Sequence, residues 1–131
     1  VGVRLEQLNT RDDAHPMKGH PGYQGEDVDY AARIVRRVGS PRMRLLFDVH
    51  HVQVTNGDVM RRIDQYKDIP GRVYVAGRPG RGDLDDDQEV NNPAATKRLA
   101  AVGFRGFIGR EFLPARDPLA GLLPSAAARR S

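Results

Sequence analysis

Cysteine is absent from this 131-residue chain. That excludes a disulfide framework and any thiolate-held metal. Aromatic residues make up only 6%, with no aromatic-basic alternation of the kind that stacks and tracks nucleic acid. No apolar run approaches the ~20 residues of a membrane-spanning helix, and the opening VGVRLEQLN lacks a signal-peptide pattern. A cytoplasmic setting is expected, with neither nucleic acid nor membrane as partner. There are 21 Lys and Arg against 17 Asp and Glu, a formal charge of +4. The arginines are scattered, however, and the pairs Arg36-Arg37, Arg61-Arg62 and Arg129-Arg130 are expected on solvated helix faces. What remains is a chain with 39% hydrophobic and 29% charged residues, expected to form one domain over residues 1–131 with a real core.

Four strand-then-helix units can be read along it. Val1 to Leu8 is expected as the first strand, followed by a long Gly/Pro/Asp-rich loop, NTRDDAHPMKGHPGYQGED. Asp27 caps a helix on which Val28, Ala31, Ala32 and Val35 share one face, and Gly39-Ser40-Pro41 stops it. Met43 to Phe47 forms the second strand. TNGD then leads into a helix from Val59 to about Tyr66 capped by Asp58, broken at Pro70-Gly71, with Arg72 to Ala76 as the third strand. After a second polar loop, GRPGRGDLDDDQEVNNP, Pro93 opens a helix running to Val102. The run FRGFIG is the fourth strand, and Leu119 to Arg130 is a candidate last helix. Alternation of this kind implies a parallel α/β sheet with crossover helices. Four such units are either a small open sheet or half of an eight-stranded barrel, which typically takes ~250 residues.

Three carboxylates fall at equivalent points of these units. Glu6 lies near the end of the first strand, Asp48 at the end of the second and Glu111 just past the fourth. Parallel strands bring their C-terminal ends to one rim, where ligands bind in α/β folds. Like charges gathered there must be protonated or neutralised by a cation. Oxygen ligands favour a hard divalent ion, Mg²⁺ or Mn²⁺.

The stretches LEQLNTRD, LLFDVHHVQVTNGDVMRRI, AGRPGRGDLDDDQEVN and GFIGREFLPARDPLAGL together resemble the C-terminal half of hydroxypyruvate isomerase-like proteins, within the xylose-isomerase-like TIM-barrel superfamily. The resemblance runs from Val3 to about Leu122. It implies four βα units of a (β/α)8 barrel, with the first half of the barrel lying outside this chain. It also implies a divalent metal, Mn²⁺ or Mg²⁺, held by Glu6, Asp48 and Glu111. The fourth ligand position, His or Gln in that family, falls on Tyr74, a poor donor to a hard ion, and Arg72 stands where His is usual. Glu6 and Glu111 are implied as the catalytic pair that moves a proton through an enediolate. Asp12, His51 and Arg81 are implied as substrate-binding residues, and Lys18 and His20 lie on a loop able to close over the site. The implied substrate is hydroxypyruvate or a related small hydroxy-carbonyl compound. A sugar or inositol epimerase and a non-catalytic fragment are the alternatives. Four parallel strands with two open edges also favour homo-oligomerisation.

Overall fold

The computed structural model describes residues 1–16 and 18–119. Strand β1 (Val3–Glu6) is followed by helix α1 (Val28–Val38) and strand β2 (Met43–Asp48). Helices α2 (Val49–Thr55) and α3 (Val59–Tyr66) precede β3 (Pro70–Val75), and α4 (Asn92–Ala101) precedes β4 (Phe107–Arg110). All neighbouring strands are parallel, in the order β1-β2-β3-β4. Four parallel strands in sequential order with intervening helices are what half of an eight-stranded barrel would contribute. No described helix is long and apolar enough to cross a membrane. The last helix expected from the sequence lies almost wholly outside the described residues.

Alternation along the strands divides the sheet into two faces. Leu5, Leu45, Phe47, Val73, Val75 and Ile108 pack with the helices, against Val28, Ala31, Ala32 and Val35 of α1 and Ile63 of α3. Glu6 and Asp48 alternate with these residues and take the other face, at the strand ends. Asp27 caps α1 as expected: its Oδ1 accepts from Asp29 N at 2.8 Å and from Asn56 Nδ2 at 3.2 Å. Gly39, in the left-handed region at φ 64, ends the helix.

Several boundaries differ from the sequence reading. The first strand stops at Glu6, because Gln7 and Asn9 turn inward as buried polar groups. Helix α2 was not expected. It forms because Asp48 caps it, Oδ1 accepting from His50 N at 2.8 Å and His51 N at 3.2 Å. Asp58 does not cap α3 with its side chain. It sits at φ 51 with no capping hydrogen bond, and its carboxylate pairs instead with Arg61 at 3.0 Å. Pro70, expected with Gly71 to break the helix, lies past its end at Tyr66 and begins β3 two residues before the expected Arg72, a position that needs no ladder N–H.

Candidate active site

The C-terminal ends of the strands bring five of the expected site residues together. Asp48 ends β2 with 1% exposure. Its Oδ1 is taken by the α2 backbone, which leaves Oδ2 facing the rim. That oxygen lies 3.5 Å from Arg81 and 3.9 Å from His51 Nε2. The same Arg81 nitrogen reaches Glu111 Oε2 at 3.1 Å. Glu111 extends the β4 ladder, its N–H donating to Val75 O at 3.1 Å. Glu6, Asp48 and His51 offer ligand-type atoms that all lie within 4.8 Å of one another.

Arg81 is held in this position by its backbone as well as by its charge. It adopts φ 54, a conformation unusual for a residue with a side chain. Its carbonyl accepts from Leu113 N at 2.8 Å, tying the loop after β3 to the loop after β4. The guanidinium is consequently buried between two carboxylates.

Burial and crowding of like charge dominate the proton affinities. The Glu6 carboxyl is pushed up to about 8, first by burial and then by the charges of Asp48 and Glu111, with Arg81 opposing. Burial raises Asp48 to about 7 against the pull of Arg81 and the α2 N–H groups. Burial also lowers the histidines, aided by Arg81: His50 to about 4 and His51 to about 3. Both imidazoles are therefore neutral near pH 7, and the Glu6–Asp48 pair retains a proton there.

This residue set fits a hard divalent cation. Glu6 Oε1 is buried without a hydrogen-bond partner among the described residues, and Asp48 Oδ2 faces only the Arg81 guanidinium and the more distant His51 Nε2 among the ion pairs of the described residues. Three carboxylates against one guanidinium leave an excess of negative charge that such an ion would neutralise.

Tyr74 and Asp12 are placed differently. Tyr74 pairs in register with Asp48 and Gly109, yet its ring leans over Gly109, where a Cβ would lie 2.7 Å from Tyr74 Cε1. The Arg72 guanidinium lies 5.2 Å from the ring centre on a cation–π contact. Asp12 pairs with Arg78 at 3.8 Å, joining the two long loops at the edge of the site. His20, on the first loop, approaches His51 with ring centres 6.1 Å apart.

Two residues that the sequence reading passed over shape this rim. Gln7 is fully buried, and its Nε2 donates to Asp48 O at 3.1 Å. Asn9 is fully buried against His51, its backbone N 3.1 Å from Nδ1. An NTRD stretch after a strand reads as a turn, and the contact that matters spans 42 residues.

Comparison with known proteins follows the same lines. No protein-family model matches the chain. A human protein provisionally named hydroxypyruvate isomerase is 35% identical over 122 residues, which is 93% of this chain and 42% of that protein. A 2-oxo-tetronate isomerase from Cupriavidus necator is 32% identical, covering 93% of this chain and 44% of that protein. The crystal structure of an AP endonuclease, family 2, from Brucella melitensis superposes with a TM-score of 0.85 at 31% identity, over 97% of this chain and 46% of that one. The chain thus spans less than half the length of the relatives it matches.

Proposed function

With the chain placed among hydroxypyruvate isomerase-like proteins of the xylose-isomerase-like TIM-barrel superfamily, we propose that its rim is the active site of a metal-dependent isomerase. The proposed substrate is hydroxypyruvate or a related small 2-oxo acid. The observation that carries this reading is the convergence of Glu6, Asp48 and Glu111 on one rim, with Arg81 between Asp48 and Glu111.

Glu6, Asp48 and Glu111 would hold Mn²⁺ or Mg²⁺, which when bound supplies Lewis-acid stabilisation of negative charge developing on substrate oxygen. The chain's own groups account for the proton movements. Glu6, in its carboxylate form, is the group that would remove a proton from the carbon next to the carbonyl. Glu111, half exposed across the rim, would draw a proton from solvent and deliver it to the neighbouring carbon while Glu6 releases the proton it took to solvent, so that the transfer through an enediolate balances. For hydroxypyruvate, the proton leaves the hydroxymethyl carbon and arrives at the former carbonyl carbon, giving tartronate semialdehyde. Arg81 is placed to bind the substrate carboxylate, and planar two-point pairing suits that group. His51 donates to a substrate oxygen. Asp12 lies on the loop edge, where it borders the substrate.

The match to a 2-oxo-tetronate isomerase supports a four-carbon 2-oxo acid as the second substrate candidate. The test is deuterium exchange into hydroxypyruvate, followed by proton NMR in D2O with Mn²⁺ and the full chain. Exchange at the hydroxymethyl carbon, lost in Glu6→Gln, is expected. Exchange no faster than in buffer would reject the isomerase reading for this chain.

A further inference from the structure

The contact between Asn9 and His51 decides how His51 can act. Asn9 lies just past β1 and His51 in the first turn of α2, both fully buried. The Asn9 backbone N is 3.1 Å from His51 Nδ1, and the Asn9 Nδ2 is 2.7 Å from the same atom. A backbone N–H can only donate, so Nδ1 must present a bare lone pair. The orientation of the Asn9 amide is set by its remaining contacts. Its Oδ1 accepts from Arg11 N at 3.2 Å and Asp12 N at 3.0 Å, and its Nδ2 donates to Lys18 O at 2.9 Å. Turning the amide over would set its NH2 against two donors and its oxygen against a carbonyl. The loop closes tightly here: a Cβ on Gly19 would lie 2.6 Å from Asn9 Oδ1.

Neutral His51 therefore carries its proton on Nε2. That atom is buried without a hydrogen-bond partner among the described residues and lies 3.9 Å from Asp48 Oδ2. We infer that Asn9 is a positioning residue that holds His51 as the Nε2–H tautomer, so that His51 is a neutral hydrogen-bond donor to a substrate oxygen beside Asp48 and not a metal ligand. A protonated ring nitrogen has no lone pair for a cation, and the lone pair of Nδ1 is engaged by Asn9. His51 thus belongs apart from Glu6 and Asp48, although all three lie within ligand distance of one point. This inference rests on the rim being the proposed isomerase site, but its first test does not.

That test is long-range proton–nitrogen NMR on the full chain labelled with 15N-histidine, with His51 assigned by the signal lost in His51→Gln. The expected wild-type pattern is a proton on Nε2 only. Asn9→Asp replaces the side-chain donor with an acceptor and is expected to draw a proton onto Nδ1. A wild-type proton on Nδ1 would overturn the tautomer, and a pattern unchanged in Asn9→Asp would assign it to the backbone N–H and overturn the positioning role of the Asn9 side chain. If Asn9→Asp fails to fold, the wild-type spectrum still decides the tautomer. Mn²⁺ titration supplies the second readout: His51→Gln is expected to weaken binding by no more than about tenfold, the scale of a change beside the ligands, since it removes no ligand. A loss as large as that in Asp48→Asn would overturn the assignment of His51 as a donor. Absence of Mn²⁺ binding in the wild type would count against the proposed metal site and leave the NMR result to judge Asn9.

Discussion

Replacing Glu6 with Gln should stabilise the metal-free protein at alkaline pH while disabling the site. In the folded chain burial, Asp48 and Glu111 raise the Glu6 carboxyl from 4.5 to about 8. Folding therefore favours the protonated form. The contribution of Glu6 to stability is intact below about 4.5 and is lost as pH rises through about 8. For a fully buried group, a shift of that size would correspond to ~5 kcal/mol. Glu6 is only partly buried, and solvent screening reduces this to ~2 kcal/mol. For a chain of this length that is ~6 °C in melting temperature. Gln keeps the shape and can donate to Asp48, but it carries no charge. Thermal unfolding followed by circular dichroism in a chelating buffer should give superimposed melts near pH 4. A gap of about 6 °C in favour of Glu6→Gln should open by about pH 8.5. A gap independent of pH, or a variant less stable than wild type at alkaline pH, would refute the crowding of carboxylates on this rim.

Further outcomes follow from the same geometry. Mn²⁺ must displace the proton retained by the Glu6–Asp48 pair, so its affinity should rise by roughly tenfold per pH unit for each proton released below about pH 7. Calorimetry in buffers of different ionisation enthalpy would reveal the proton release, and an affinity flat with pH would contradict it. Tyr74→Gln places an amide oxygen in register with Asp48 and should tighten Mn²⁺ binding by roughly tenfold; unchanged affinity would mean that position 74 does not face the ion. Asp27→Ala removes the acceptor for Asp29 N and Asn56 Nδ2 and should cost ~1 kcal/mol in urea unfolding. A loss below a few tenths of that would show α1 to be held by packing alone.

The parallel sheet and the rim could be read from the sequence because both follow from short-period patterns. Val28, Ala31, Ala32 and Val35 recur at helical spacing and are buried. Glu6 and Asp48 alternate with core residues at strand ends, which assigns their face without knowledge of partners. Helix α2 escaped the same logic. VHHVQVT is rich in β-branched residues with poor helix propensity, and only the Asp48 cap, together with burial of Val49 and Val52, makes it a helix. The same carboxylate is both cap and site residue, one of its oxygens building the helix and the other facing the rim. Gln7 and the His51 contact of Asn9 carry no local signal, since those partners lie about forty residues away, whereas the bonds from Asn9 to Arg11 and Asp12 only mark a turn. The lean of Tyr74 toward Gly109 depends on a neighbouring strand having no side chain at that point.

The account stands most directly on whether the rim takes up a divalent ion. Mn²⁺ calorimetry on the full chain and on Asp48→Asn is the measurement that tests it. Asn retains an oxygen to cap α2, so the comparison isolates the lost charge at the rim. The prediction is micromolar binding by the wild type, weakened by at least ~100-fold in the variant. No binding by the wild type, or equal binding by both proteins, would contradict the proposed site.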